Sequence, residues 1–407
     1  MLSFITIIRG SILIMKIGVV CFEDIESVGR AWASVSGEDA KRVNGIGELS
    51  SSIFWVTNLP YNFFRKYNLN KKPNMFDHQF FRTSLRLIAG ETGLEDDIKK
   101  LSEFSSLTFQ RVLDQCKSLY DIDLKYSPYR MNTLLSDFVI SRNVRQIPMG
   151  STSNTLMEAF MEATQQNQGM IGEVPKSSKA RTFSFPKAAY AKYLMSLPYP
   201  VSTQWDALKE EDIKAVIGTR EGNVISGTLS AIKKINKLCK NKAGLFKVSV
   251  LYTEKFFRPF ATFGQGSSYT RSWVALPELL DILQYSVVEI HAGFVSELGE
   301  LPLHKGLNLD TDEYSYSKGL LLENIWTAYA LPLNRGKFYT PVGAYMRAYD
   351  RVMCNKAAFE FARNNLTVGS FGTGRVVVYC KKSDETISSE IALENGLLPP
   401  LFMMEGK

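Results

Sequence analysis

Two short segments carry residue types that could do chemistry. Asp24 and Glu26 stand one residue apart in Phe22-Glu23-Asp24-Ile25-Glu26, directly after an apolar run. Alternating carboxylates at a strand end can clamp a divalent cation, which demands hard oxygen ligands; the same spacing also occurs on solvated loops. The second segment, Gly372-Thr373-Gly374-Arg375, precedes Val376-Val377-Val378. Its glycines serve the backbone geometry of a hairpin and offer no ligand, while Arg375 adds a fixed positive charge. A row of lysines (Lys233, Lys234, Lys237, Lys240, Lys242) could track phosphates or form a solvated face. Arg335, Lys337, Arg347, Arg351 and Lys356 add further positive charge. Phe338, Tyr339, Tyr345 and Tyr349 interleave with them, as stacking platforms for single strands or as core. Cys21, Cys116, Cys239, Cys354 and Cys380, with His78, His291 and His304, are too scattered for a metal site; free thiols in a reducing compartment are expected.

These residues need elements to position them. The run 16–22 reads as a buried strand, 52–56 as another, and 94–119 as amphipathic helices. Strands followed by helices imply an α/β domain over 15–140. Residues 141–180 are polar and connecting, with a helix at 156–164. Beyond them come a strand at 181–185, a helix at 187–197, the basic helix at 226–242, and strands at 245–252 and 287–290. A long helix covers 342–363, a turn 369–374, and a strand 375–379.

The chain has 407 residues, 45% hydrophobic and 22% charged, with a formal charge of +7. That composition suits a folded globular protein of two or three domains and excludes a disordered or fibrous chain. Residues 1–14 are apolar around Arg9, too short to span a bilayer and without a clear cleavage site. They read as an over-called start or a leader, with a transit peptide as the other option.

The segment Trp273-Val274-Ala275-Leu276-Pro277-Glu278-Leu279-Leu280, followed by Val288 to Phe294, resembles the palm of family B DNA polymerases of the protein-primed viral and linear-plasmid kind. Phe183-Ser184-Phe185-Pro186-Lys187-Ala188-Ala189-Tyr190 resembles that family's first palm motif, Asp-x-x-Ser-x-Tyr-Pro. Pro341 to Tyr349 resembles the helix before its Tyr-Gly-Asp-Thr-Asp-Ser hairpin, which then falls at Ser370 to Arg375. Upstream, Asp24 and Glu26 match the first motif of its 3′–5′ exonuclease. Asn58-Leu59-Pro60-Tyr61-Asn62-Phe63 resembles the second, with Asn62 in place of the acid. The third motif falls near 101–107, where Ser105 or a neighbour replaces the acid. Asn324 matches the asparagine of the third palm motif; Lys318 lies two residues off the lysine position and reads as solvated.

The resemblance implies an RNase H-like exonuclease-type domain, then at 181–407 an α+β palm-like domain with small fingers and no room in 381–407 for a thumb. The catalytic acids are missing from the palm, so no catalytic residue is assigned. Asp24, Glu26 and Asn62 are vestigial candidates, and Gly372, Thr373, Gly374 and Arg375 a degenerate hairpin. The implied partner is single-stranded or primed DNA, with replication proteins and no membrane, in the cytoplasm (that of the host, for a viral protein) or an organelle. No cofactor is expected, or Mg²⁺ if activity survives. Three readings stay open: an inactive DNA-binding polymerase relative, an active DNA polymerase or exonuclease with misaligned acids, and an assembly protein without a nucleic-acid role.

Overall fold

The computed structural model describes residues 16–72, 74–75, 79–120, 153–164, 173–218, 223–226, 229–257, 260, 273–301, 303, 315–331 and 339–400. They form two compact units, one drawn from 16–88 and 94–114, the other from 89–93, 115–120 and the described residues beyond 131.

The first unit is built on β1 (Ile17–Phe22), whose six residues are all buried. A β-branched strand covered on both faces belongs at a sheet centre. β1 pairs antiparallel with β2 (Ala31–Val35), which pairs with β3 (Lys41–Val43), and parallel with β4 (Phe54–Thr57). The sheet order is thus β3-β2-β1-β4. α1 (Tyr61–Lys66), most of α2 (Gln79–Thr92) and α3 (Ile98–Tyr120) follow. Trp55, Phe64, Leu69 and Met75 join Val20 and Phe22 in its core.

In the second unit α4 (Asn154–Thr164) leads to β5 (Lys179–Ser184), α5 (Lys187–Ser196) and β6 (Pro198–Pro200). Next come β7 (Asp206–Ala207), α6 (Glu210–Ile217), β8 (Val224–Ser226), α7 (Leu229–Cys239) and the long β9 (Ala243–Thr253). β10 (Trp273–Ala275) runs into α8 (Leu276–Ile282), with Pro277 in the first turn, where its missing N–H is no loss. β11 (Ser286–Ser296) pairs antiparallel with β9 along its length and also with β7 and β8; β12 (Leu298–Glu300) pairs with β6.

α9 (Tyr316–Tyr329) and α10 (Pro341–Arg363) are buried on most sides, as expected of helices at a centre rather than a surface. Thr340 caps α10, its Oγ1 accepting from Gly343 N at 2.9 Å. β13 (Thr367–Gly372) and β14 (Arg375–Cys380) form a hairpin, β5 joins β14 antiparallel, and α11 (Glu385–Glu394) follows. Residues 369–372, expected in a turn, lie in β13: only Thr373 and Gly374 make the loop. Sequence reading also passed over β2, β3, α2 and α11, which are short or mixed in pattern. Among the described residues no helix is long and apolar enough to cross a membrane. All five cysteines are free and buried, and burial pushes the Cys21 and Cys116 thiols up to about 12.

Candidate functional site

The segments that resemble the first palm motif and the hairpin meet in the sheet β13-β14-β5. Ser184 pairs with Arg375, and Phe185 N donates to Gly374 O at 2.9 Å, so the first motif and the hairpin lie side by side. Thr373 (φ 54) and Gly374 (φ 70) are both left-handed, the requirement of a type I′ loop. A β-branched residue takes up that conformation only under strain. At Gly374 an added Cβ would stand 3.0 Å from the Tyr190 ring, so a side chain there is disfavoured by backbone strain and needs that ring to give way.

The turn is held from α10. The buried Asp350 carboxylate accepts from Thr373 N at 2.7 Å, from Gly374 N at 2.8 Å and from the Tyr190 hydroxyl at 2.8 Å. Burial, then the Asp350 charge, pushes the Tyr190 phenol well above its ordinary range, so it stays a donor. Arg347 Nη1 lies 3.4 Å from Thr373 Oγ1, and its guanidinium sits over the Trp326 ring at 5.5 Å.

On the face shared by Ser184 and Arg375 a second polar group is enclosed. Lys187, first residue of α5, donates to Glu91 Oε1 at 2.8 Å and bonds Glu323 Oε2. Arg375 Nη2 donates to Glu323 Oε1 at 2.5 Å, and its Nε lies 3.3 Å from Glu91 Oε1. Ser184 Oγ donates to Glu91 at 3.1 Å, and the Tyr316 hydroxyl donates to its other oxygen. Two cations and two carboxylates are balanced; Glu91 is 0% exposed. Burial alone would push Glu323 up, but Arg375 and Lys187 outweigh it and hold the carboxyl below its usual range. Burial would lower Arg375, yet Glu323 and Glu91 raise it. α9 approaches α5 this closely because residue 319 is glycine: a Cβ there would be 2.5 Å from Lys187 Cβ.

A pair of Mg²⁺ ions does not fit this donor set. The residues at the motif positions are Ser184, Phe185, Gly372, Gly374 and Arg375. The nearby carboxylates are committed, Glu91 and Glu323 to cations and Asp350 to backbone amides. Among the described residues no three His, Cys, Asp or Glu side chains are grouped to hold a metal ion.

Solved structures of Phi29 DNA polymerase are similar to this chain. The enzyme complexed with primer-template DNA, a post-translocation binary complex, is 11% identical over 89% of this chain and 80% of that chain, with a TM-score of 0.44. Its ternary complex with incoming nucleotide substrates is 10% identical over 89% and 80%, with a TM-score of 0.39. An orthorhombic crystal form is 12% identical over 90% and 81%, with a TM-score of 0.43. No protein family matches the sequence, and no curated protein matches it. The likeness is remote, so function rests on this chain's own residues.

The other expected site residues fall in different settings. Asp24 and Glu26 are exposed in the β1–β2 loop, where Asp24 Oδ1 accepts from Glu26 N at 2.8 Å. That bond lowers the Asp24 pKa and makes the pair a local turn. Asn62 is exposed on α1, and Ser105 is buried on α3. Asn58 bridges the end of β1, accepting from Phe22 N at 2.9 Å and donating to Phe22 O at 3.1 Å.

Arg347 and Arg351, read as phosphate contacts, are buried, which corrects that expectation. Arg351 binds Glu278 with both ends, Nε to Oε1 at 2.7 Å and Nη2 to Oε2 at 2.8 Å, and also Ala163 O at 2.7 Å. A charge-paired guanidinium inside a helix contact has no face for a phosphate. Lys318, read as solvated, is buried too, because α9 is enclosed nearly all round. Asn324 Nδ2 donates to Leu320 O within its own helix at 2.8 Å. Tyr345 is core, its hydroxyl bonded to Gly244 N at 2.6 Å, and the Tyr349 hydroxyl donates to Pro198 O at 2.7 Å. Lys233, Lys234 and Lys237 are exposed on α7; Arg335, Lys337 and Phe338 lie outside the described residues.

Glu91 and Asp350 were not singled out as site residues. Glu91 follows Phe81, Leu85 and Ile88 on the buried stripe of α2, and a charge on an apolar stripe is the one signal that marks it.

Proposed function

We propose that this protein is a non-catalytic relative of family B DNA polymerases from a viral or plasmid element. It uses a palm-type scaffold to hold single-stranded or primed DNA during replication. The observation that carries the reading is the Lys187–Glu91–Glu323–Arg375 quartet beside the β5–hairpin junction. Two-metal nucleotidyl transfer needs carboxylates facing a shared cation site. Here a lysine and an arginine neutralise the buried carboxylates, and the motif positions on the strands carry no acid. In the first unit Asp24 and Glu26 lack the third acid of an exonuclease clamp, because Asn62 stands in its register. Of the described residues expected to contact DNA, Lys233, Lys234 and Lys237 of α7 are exposed and offer a positive surface for it.

The test is binding of purified protein to fluorescent single-stranded and primed DNA across a salt series, with Mg²⁺ and nucleotides present. Salt-sensitive binding without extension or degradation is expected. Metal-dependent extension or shortening of the primer overturns inactivity, and no binding at low salt leaves an assembly role.

A further inference from the structure

The lysine face of α7 is specialised in a way that narrows the kind of nucleic acid. Ala231, Ile235, Leu238 and Cys239 are buried, so one side of the helix is fixed in the core. With 100° per residue, Lys233 and Lys237 project from the opposite side and Lys234 flanks them, while Lys240 follows the helix end in a left-handed backbone conformation (φ 51). The remaining exposed positions, Ser230, Asn236 and Asn241, are small and uncharged, so neither an acid nor an aromatic ring interrupts the row. The first turn of α6 carries Glu210, Glu211 and Asp212 and is partly neutralised, with Lys214 pairing Glu210 at 2.6 Å. Lys242, beyond the helix, lies 3.6 Å from Asp206.

We infer that this face binds the phosphate backbone of duplex DNA without reading sequence; the inference rests on the nucleic-acid reading above and goes beyond it by choosing duplex over single strand. Lys233 and Lys237 are about 6 Å apart along the helix axis. A duplex strand presents a phosphate about every 3.4 Å, so flexible lysines on this row reach two or three successive phosphates. Single-strand binders add aromatic platforms on which bases stack, and among the described residues of α7 none of the exposed ones is aromatic. A duplex carries about twice the charge per unit length of one of its strands, which is the feature a purely cationic row can exploit.

The experiment measures binding of the full chain to a labelled blunt duplex, the corresponding single strand and anionic lipid vesicles across a salt series. Wild type is compared with the triple variant Lys233→Gln, Lys234→Gln, Lys237→Gln. A control variant, Lys71→Gln, Lys72→Gln, Lys192→Gln, removes the same charge from exposed sites elsewhere. Circular dichroism checks that each folds. Losing three phosphate contacts flattens the slope of log affinity against log salt by about 2.7, and weakens duplex binding at 0.1 M salt by ten-fold to several-hundred-fold. The control is expected to change the slope by less than one. Duplex binding unaltered in the α7 variant overturns the inference and leaves nucleic-acid binding standing. Single strand or vesicles bound more tightly than duplex also overturns it. No binding of any nucleic acid removes both readings.

Discussion

Replacing Lys187 with methionine tests whether the enclosed quartet is a charged network. Methionine keeps the length and apolar stem but removes the ammonium between Glu91 and Glu323, which are 0% and 7% exposed. Removing one partner of a buried ion pair costs about 3–5 kcal/mol, because a desolvated charge is left behind. Arg375 still faces both carboxylates, so the lower half of that range is expected. In a unit of this size each 1 kcal/mol shifts Tm by about 2–4 °C, giving a loss of roughly 6–16 °C at pH 7.5.

The pH dependence has a definite sign. In wild type Glu323 is held below its ordinary value, so its contribution is present above that value and fades as pH falls through the folded one. Without Lys187 one of the two cations that hold Glu323 down is gone, so part of that contribution is missing at neutral pH, and the difference fades as the carboxyl is protonated. The gap between variant and wild type should therefore shrink from pH 7.5 to pH 4.5, read by circular dichroism melts at constant ionic strength. Adding Glu91→Gln to Lys187→Met should recover part of the loss, since one uncompensated charge is gone. A gap below 2 °C that does not change with pH would refute the network.

Two further outcomes follow from the same physics. Arg351→Met should destabilise by about 3–5 kcal/mol through the stranded Glu278 while leaving DNA affinity per folded molecule unchanged; a selective loss of affinity in a stable variant would return Arg351 to the binding surface. Asp281 is raised to about 6, chiefly by burial, with Lys356 and Asn355 opposing. A raised acid stabilises in its protonated form, so stability is lost as pH climbs from about 4 to about 6. Asp281→Asn should thus gain about 1–3 kcal/mol at pH 8 and nothing at pH 4, with its new amide able to meet the unpartnered Asn355 Oδ1. Equal effects at both pH values in urea unfolding would contradict this.

How far the sequence could be read depends on the range of the signal. The buried strand at β1, the helix ends of α5 and α10, and the hairpin before Val376 were legible because period, proline and glycine act locally. The order of the palm-like segments was legible for the same reason. Which charges face inward was not. Arg347, Arg351, Lys318 and Lys187 carry the same kind of local label as Lys233 and Lys237, and only packing separates them. Glu91 meets Lys187 across 96 residues and Glu323 meets it across 136, so no window along the chain contains the quartet. The sequence by itself determined the absence of acids at the motif positions, since a missing side chain needs no fold to be missing. Tertiary structure decided what fills the junction instead: desolvation makes an unpaired buried charge so costly that each of these four must have its counter-charge there.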